Sequence, residues 1–233
     1  MRETIEILID QAESALYDLQ QVLISNEQAK HIHFCVGDIR NKTALLELFE
    51  THKPDIVFHA AAYKHVPLME ENPQEAITTN IKGTKNLTEC AIQFQIEKFI
   101  FVSTDKAVNP TNIMGASKRI AEKYVQSLHF KSLFENKNST KFITTRFGNV
   151  LGSNGSVIPV FRKQIEEGGP VTVTHRDITR FFMTIPEAVQ LVLEAGAMCE
   201  GNDLFAFDMG EQVLIAQLAE QMIRLSGLEP GTD

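Results

Sequence analysis

Short apolar runs alternate with longer amphipathic segments along the first two thirds of the chain. The runs have the length and the β-branched or aromatic content of buried strands, whereas the longer segments repeat apolar residues every three or four positions. Strands are predicted at 4–9, 33–36, 55–59, 98–102 and 141–146, and helices at 14–23, 42–49, 79–94 and 116–128. This alternation predicts a doubly wound, Rossmann-like α/β fold with a parallel sheet.

The pattern changes after about residue 146. Glycine and serine dominate 152–156, and a helix at 157–167, a Gly-Gly-Pro turn and short β-type runs follow. A helix at 186–198, a strand at 204–207 and a helix at 213–225 complete the predicted elements. We therefore divide the chain into a Rossmann-like domain, 1–147, and a smaller, partial lobe, 148–233.

The expected glycines of a dinucleotide-binding sheet are missing near the start. Such a sheet begins with a strand, a glycine-rich turn and a helix, because backbone without side chains must approach the pyrophosphate. The first glycine here is Gly37, and the opening strand leads to Asp10. We therefore expect this strand to be the second of the fold, with the first βα unit missing, and we expect that both ends of the chain are cut.

Composition and charge exclude several classes of protein. The chain has 233 residues, 43% of them hydrophobic and 22% charged, which is typical of a folded domain. A formal net charge of −8 argues against a nucleic-acid-binding protein. No apolar stretch is long enough to span a bilayer and no signal-peptide pattern opens the chain, so we expect a cytoplasmic protein without membrane contact.

The cysteines and histidines do not predict a metal site. Cys35, Cys90 and Cys199 are odd in number and far apart, which fits neither a zinc site nor a disulfide framework. His31 and His33 alternate along a predicted strand and are interpreted as surface residues rather than as a ligand pair.

A polar run at 103–118 directly follows the predicted strand 98–102. It begins with Ser103, Thr104, Asp105 and Lys106, which places hydroxyls, an acid and an amine at one strand end. Ligands of open parallel sheets bind at this carboxyl end of the strands. The run therefore predicts an active site.

Met114 and Lys118 are four residues apart on a predicted helix and share one face. A Tyr-x-x-x-Lys pair at this spacing is typical of short-chain dehydrogenase/reductases, whose tyrosine transfers a proton. A thioether cannot exchange a proton. Two alternatives follow: the site is inactive, or Asp105 and Lys106 perform the acid-base chemistry while Met114 only lines a wall.

Six motifs together resemble the nucleotide-sugar 4,6-dehydratases of polysaccharide biosynthesis. These enzymes are extended short-chain dehydrogenase/reductases that act on UDP-N-acetylglucosamine. The motifs are Asp10-Gln11-Ala12-Glu13-Ser14, Gly37-Asp38-Ile39-Arg40, the segments 59–67 and 103–118, Arg146-Phe147-Gly148-Asn149-Val150-Leu151-Gly152-Ser153, and Arg180-Phe181-Phe182-Met183-Thr184. Methionine in the tyrosine position fits the capsule and O-antigen branch of the family. In many enzymes of this branch, membrane helices precede the catalytic domain, so the resemblance implies that the chain is the cytoplasmic domain of an inner-membrane protein.

The resemblance implies a three-part reaction and its cofactor. Hydride leaves sugar C4 for NAD or NADP, water is eliminated across C5 and C6, and hydride returns to C6, which yields a 4-keto-6-deoxy sugar nucleotide. Elimination needs a base at C5 and an acid for the C6 hydroxyl, and Asp105 with Lys106 supplies both. Thr104 positions the sugar O4 or the ketone, and Lys118 holds the nicotinamide ribose. A homo-oligomer is expected.

Two other functions remain open. A UDP-sugar C4 epimerase shares the oxidation at C4 but needs the tyrosine that Met114 replaces. A catalytically silent nucleotide-sugar-binding fragment is the alternative outside enzymes.

The resemblance also implies binding residues. Asp10 and Asp38 contact the ribose and the adenine of adenosine, and a carboxylate at the ribose 2′-hydroxyl favours NAD over NADP. The other cofactor residues are Ile39, Ala60, Ala61, Ala62, Asn80 and Ser103. Substrate residues are Lys64, His65, Asn149, Ser156, Val157 and Arg180. Among them, Asn149, the helix start at 155–157 and Arg180 are expected to bind the diphosphate.

Overall fold

The computed structural model describes residues 5–23, 30–135, 140–153 and 155–231. The strands are β1 (Glu6–Asp10), β2 (Ile32–Val36), β3 (Ile56–His59), β4 (Lys98–Thr104), β5 (Lys141–Phe147), β6 (Asn149–Val150), β7 (Thr179–Arg180), β8 (Phe182–Met183), β9 (Leu204–Ala206) and β10 (Val213–Leu214). The α-helices are α1 (Glu13–Leu23), α2 (Lys42–His52), α3 (Val66–Glu71), α4 (Pro73–Ala76), α5 (Thr84–Gln93), α6 (Ile113–Glu135), α7 (Val157–Glu166), α8 (Ile185–Met198) and α9 (Ile215–Leu225). A π-helix (Ile77–Gly83) joins α4 to α5, and a 3₁₀ turn (Asp105–Ala107) follows β4. Residue 4 of the first predicted strand lies outside the described residues.

Two parallel sheets carry the fold. One is four-stranded in the order β3-β4-β5-β9, and the other pairs β1 with β2. Gln11 Nε2, after β1, donates a hydrogen bond to the Tyr63 hydroxyl, after β3, at 3.2 Å, so the carboxyl ends of both sheets lie together. Each of β1 and β3 pairs on one edge only among the described strands. The predicted Rossmann-like α/β fold is confirmed.

The core has a layer on each face of the four-stranded sheet. Successive residues of a strand point to opposite faces, and Phe99, Ile100 and Phe101 of β4 are each 0% exposed. Phe99 and Phe101 pack with residues of α2, α5 and α6, whereas Ile100 packs with Ala195 of α8. Burial of each such side chain contributes about 2–3 kcal/mol, so β4 is anchored rigidly below the polar run that follows it.

The C-terminal segment divides between two places. Helix α8 packs on β4 and β5, and β9 extends the main sheet. Helices α7 and α9 instead pack together around Phe161, Ile215 and Ala219, beside the small pairs β6-β8 and β7-β10. The division of the chain at residue 147 stays a prediction; β9, from beyond that residue, belongs to the main sheet, and α8 packs on it.

Candidate active site

The turn after β4 brings together the acid, the amine and a hydroxyl of the polar run. The Thr104 hydroxyl donates a hydrogen bond to Asp105 Oδ1 at 2.9 Å. Lys106 Nζ donates to the same oxygen at 3.3 Å and to Asn149 Oδ1 at 3.1 Å. Asp105 and Lys106 therefore form one polar cluster, which Asn149 of β6 completes.

Met114 and Lys118 face the same cavity from the first turns of α6. Met114 is 3% exposed and packs against Met69 and Ala76. Lys118 Nζ donates to the Val102 carbonyl at 2.8 Å and lies 4.4 Å from the centroid of the Phe101 ring. Burial lowers the pKa of Lys118 to about 8, because the charged ammonium loses hydration that one carbonyl and a ring do not replace.

A buried ion pair ties α6 to β5 beneath these residues. Glu122 is 0% exposed, and Arg146 donates to both of its carboxylate oxygens, with Nε at 2.7 Å from Oε1. Arg119 adds a bond at 3.1 Å. Burial alone would raise the pKa of Glu122, but the bonds from Arg146 hold it below its usual value. The carboxylate therefore stays ionised inside the protein.

Asn80, on the π-helix, connects the loop after β3 to α6. Its Oδ1 accepts from the Tyr63 backbone N–H at 2.8 Å, and its Nδ2 donates to the Tyr63 carbonyl at 3.0 Å and to Ser117 Oγ at 2.9 Å. Ser117 in turn donates to the Met114 carbonyl at 2.7 Å. Direct binding of cofactor by Asn80 stays a prediction, since these bonds occupy both of its amide hydrogens.

His59 is a buried residue that the sequence analysis did not single out. It is 2% exposed, packs beside Phe99 and Phe101, and places Nε2 2.8 Å from the Thr84 hydroxyl. Burial lowers the pKa of His59 to about 3, so the ring is neutral at physiological pH. The sequence signal for this burial was the position of His59 at the end of an apolar strand.

One cavity of about 540 Å³ lies at the carboxyl end of the sheet, a volume typical of small-molecule sites. Twelve of the predicted site residues line it: Ala60, Ala62, Lys64, His65, Ser103, Thr104, Lys106, Lys118, Asn149, Ser156, Val157 and Arg180. Met114 lines it too, as expected. The opposite wall is apolar and was not predicted; it comprises Val173, Ile178, Phe182 and Ile215.

Lys64 and His65 reach the loop that precedes α7. Lys64 Nζ donates to Ser153 Oγ at 3.4 Å. The His65 ring lies so close to Gly155 that a Cβ atom there would stand 2.4 Å from its Cε1, and Gly155 has φ of 67°. Glycine is therefore required at 155 for both its backbone conformation and its space.

The start of α7 has unused hydrogen-bonding groups. Ser156 is the N-cap residue but makes no side-chain cap bond, and its buried Oγ has no partner among the described residues. Backbone N–H groups at a helix N-terminus attract anions. Arg180 lines the same cavity and is exposed. Its guanidinium donates a hydrogen bond to the Thr179 carbonyl at 2.9 Å. An anionic ligand group fits between these residues.

Asp10, Asp38 and Ile39 follow β1 and β2 or end them, and none of the three lines the cavity. Asp10 Oδ1 accepts from the Ala12 N–H at 2.8 Å, at the exposed end of β1. Arg40 donates to Asp38 at 2.7 Å and holds the pKa of Asp38 below its usual value. Ile39 packs in the core, where its side chain meets Gly83. Their roles as cofactor ligands stay predictions.

Ala61 is exposed and does not line the cavity, unlike its neighbours. No group of three or more His, Cys, Asp or Glu side chains is arranged to hold a metal ion in the described ranges. Within those ranges, no helix is both long and apolar enough to cross a membrane.

Comparison with known proteins assigns the chain to a family. Residues 2–233 match the model of the polysaccharide biosynthesis protein family. The chain belongs to this family. One relative is the capsular polysaccharide biosynthesis protein CapD of Staphylococcus aureus. It is 54% identical over 223 residues, which cover 95% of this chain and 36% of CapD. The chain thus spans about a third of that relative.

Two further comparisons bear on this polysaccharide biosynthesis protein. A UDP-glucose 4-epimerase of Rickettsia canadensis is 40% identical over 200 residues, which cover 86% of this chain and 56% of the epimerase. The X-ray structure of Pen from Bacillus thuringiensis superposes with a TM-score of 0.89 at 36% identity, over 97% of this chain and 68% of Pen. The fold of the family member described here is therefore that of a solved structure.

Proposed function

We propose that the protein is a nucleotide-sugar 4,6-dehydratase that converts UDP-N-acetylglucosamine to a UDP-4-keto-6-deoxy-N-acetylhexosamine for polysaccharide biosynthesis. One observation carries the proposal. Lys106 lines the cavity and is hydrogen-bonded to Asp105, which lies just outside the lining, while the helix position typical of a proton-transferring tyrosine holds Met114, a thioether. Elimination of water needs an acid and a base, and this pair supplies them without a phenol.

The elimination can be written with the residues of the cluster. The C4 ketone acidifies the C5 proton, and the Asp105–Lys106 pair accepts that proton and donates one to the C6 hydroxyl, which leaves as water. Thr104, bonded to Asp105 at 2.9 Å, fixes the carboxylate and reaches the sugar O4 from the same turn. The reacting atoms thereby meet groups that are already oriented.

The described residues fit the two riboses of a dinucleotide cofactor. Lys118, which is buried but lines the cavity, would hold the nicotinamide ribose, and the small Ala60 and Ala62 line the same cavity. Asp10 ends β1 in the position for the adenosine ribose, which favours NAD over NADP. No glycine precedes Gly37, so the residues present do not include a glycine-rich turn for the pyrophosphate. A bound nicotinamide supplies the hydride acceptor and donor for C4 and C6.

The substrate is proposed to span the cavity from the pair to α7. The diphosphate lies at the α7 N-terminus near Ser156 and Arg180, where Lys64 and His65 also reach the loop before α7. The apolar wall that includes Val173 and Phe182 then faces the nucleoside. The chain acts as a homo-oligomer on the cytoplasmic side of a membrane, as the resemblance to capsule enzymes implies.

Mass spectrometry tests the reaction directly. The natural protein that carries this chain is incubated with UDP-N-acetylglucosamine and NAD, and the expected product has lost one water. The Asp105→Asn variant serves as the control for the proton-transfer pair. Recovery of unchanged substrate would overturn the proposal.

A UDP-sugar C4 epimerase is the second candidate, favoured by the 40% identity to a protein named as such. Epimerisation conserves mass, so the same experiment separates the two reactions. A product of unchanged mass but inverted C4 configuration, detected by NMR, would replace the dehydratase with the epimerase. Met114 argues against this outcome, because it has no proton to exchange with the C4 oxygen.

A further inference from the structure

Two residues just after β5 lie directly against the Asp105–Lys106 pair. The parallel pairing of β4 with β5 places Thr104 opposite Phe147. The next residues on each chain segment are therefore neighbours: Gly148 lies beside Asp105 and Asn149 lies beside Lys106. The pairing of two strands thus sets these contacts.

Gly148 borders the one carboxylate oxygen of Asp105 that is free. Oδ1 accepts from Thr104 and Lys106, whereas Oδ2 accepts no hydrogen bond from the described residues. A Cβ atom on Gly148 would stand 3.2 Å from Oδ2. A side chain at position 148 would therefore press Oδ2 away from its present place by a few tenths of an ångström.

Asn149 supplies the shorter of the two hydrogen bonds made by Lys106 Nζ. Its Oδ1 lies 3.1 Å away, compared with 3.3 Å for Asp105 Oδ1. The lysine ammonium stands on a flexible four-carbon side chain and has three N–H donors, so two acceptors are needed to hold it in one place. Asn149 Nδ2 makes no bond with the described residues and remains available to a ligand oxygen.

We propose that Gly148 and Asn149 are positioning residues for the Asp105–Lys106 pair. Gly148 sets the location of Asp105 Oδ2 by the absence of a side chain, and Asn149 holds the Lys106 ammonium through its amide oxygen. The proposal rests on the proposed dehydratase function and adds a role for Asn149 beyond binding diphosphate.

Alanine at 148 is expected to act on the carboxylate and not on the fold. Gly148 has no positive φ, so alanine can adopt its backbone conformation. The other nearest atoms are the Met209 Cε methyl at 3.4 Å and Phe181 Cβ at 3.5 Å, both at or near ordinary contact distance. The Asp105 side chain, 47% exposed, is the group that is free to move. Gly201, whose Cβ would meet nothing within 4 Å and whose φ is not positive, offers a matched control.

Steady-state kinetics of the natural protein test the role of Gly148. Gly148→Ala is expected to lower kcat for dehydration of UDP-N-acetylglucosamine about tenfold or more, with KM and the thermal midpoint equal to those of Gly201→Ala. In an Asp105→Asn background, the same change should lower kcat no further. A kcat equal to that of Gly201→Ala, or an equal loss in both backgrounds, would overturn the role of Gly148.

Two variants test Asn149. Asn149→Ala is expected to lower kcat about tenfold, and Asn149→Asp, which keeps an acceptor for Lys106, to recover kcat while KM rises through repulsion of the diphosphate. An increase of KM alone in Asn149→Ala would show a diphosphate ligand and overturn its positioning role.

A spectroscopic measurement separates this proposal from the proposed reaction. The side-chain carboxyl ¹³C resonance of Asp105 should shift in Gly148→Ala and not in Gly201→Ala, whether or not the protein dehydrates the sugar nucleotide. Absence of turnover in the wild type would refute the dehydratase alone, whereas an unshifted resonance would refute the contact with Gly148.

Discussion

At the scale of single residues, the site depends on chemistry that the side chains can or cannot perform. Asp105 and Lys106 carry exchangeable protons, and Met114, which lines the same cavity as Lys106, carries none. Lys118 is buried with one carbonyl as its hydrogen-bond partner. Each of these differences leads to a measurable consequence.

Loss of either member of the pair should nearly abolish turnover. We expect Asp105→Asn and Lys106→Ala each to lower kcat about a hundredfold or more, the scale of a positioned acid or base. Met114→Ala should cost far less, because it removes packing and not a proton. These rates are measured by the release of the dehydrated product. If Met114→Ala abolished turnover while the polar variants remained near wild type, the proton-transfer groups would have to be sought at Lys64 or His65.

The buried Lys118 should make stability depend on alkaline pH. The pKa of Lys118 is about 8 in the folded protein and has the usual lysine value of 10.5 in the unfolded chain, so the unfolded chain binds more protons between these pH values. The free-energy cost of burying the charged Lys118 ammonium is fully present below pH 8 and is lost as the pH rises towards 10.5. Stability to urea should therefore rise over this range in the wild type relative to Lys118→Met. Parallel pH profiles for the two proteins would contradict this prediction.

At the scale of elements, helix α6 and strand β5 are joined by charge as well as by packing. Glu122 and Arg146 meet below the site, one turn after Lys118 on the helix and just before Gly148 and Asn149 on the strand. This connection fixes the two halves of the cavity floor relative to each other.

Removal of Arg146 should destabilise the protein much more than removal of Arg119. Both bond Glu122, but Arg146 is 14% exposed and Arg119 is 35% exposed. Arg146→Ala leaves a carboxylate buried with one partially exposed partner, at an expected cost of about 3–5 kcal/mol in the free energy of unfolding. Arg119→Ala should cost about 1 kcal/mol or less. Equal values from urea denaturation would show that the interior pair is not the stronger connection.

The predicted elements were confirmed where the periodicity of apolar residues was strong. Their bounds differed from the prediction where residues pair with another strand or where a neighbouring helix begins earlier. The helix predicted at 79–94 is two segments, the π-helix and α5, and it continues α4, which begins earlier at Pro73. The helix predicted at 213–225 begins at Ile215, since Val213 and Leu214 pair with β7 instead. The local propensity of a segment does not show which distant strand it pairs with, so this pairing could not be predicted from the sequence.

At the scale of the whole molecule, the cavity exists because distant segments converge at one end of the sheet. The loop after β3, the turn after β4 and the start of α6 form one side. The segment after β5, the start of α7 and the small strands form the other. The lining therefore extends from residue 60 to residue 215, and no stretch of the sequence holds the site by itself.

The sequence by itself determined the α/β class, the polar run after β4 and the replacement of a tyrosine by Met114. These depend on local periodicity and on the chemistry of individual side chains, which can be read position by position. Only the tertiary structure decided that His59 is buried and neutral, that Asn80 joins two segments, and that Val173 and its apolar neighbours form a wall. It also decided that Gly148 and Asn149 meet the Asp105–Lys106 pair, because that contact requires the register of β4 on β5 across 43 positions of the chain.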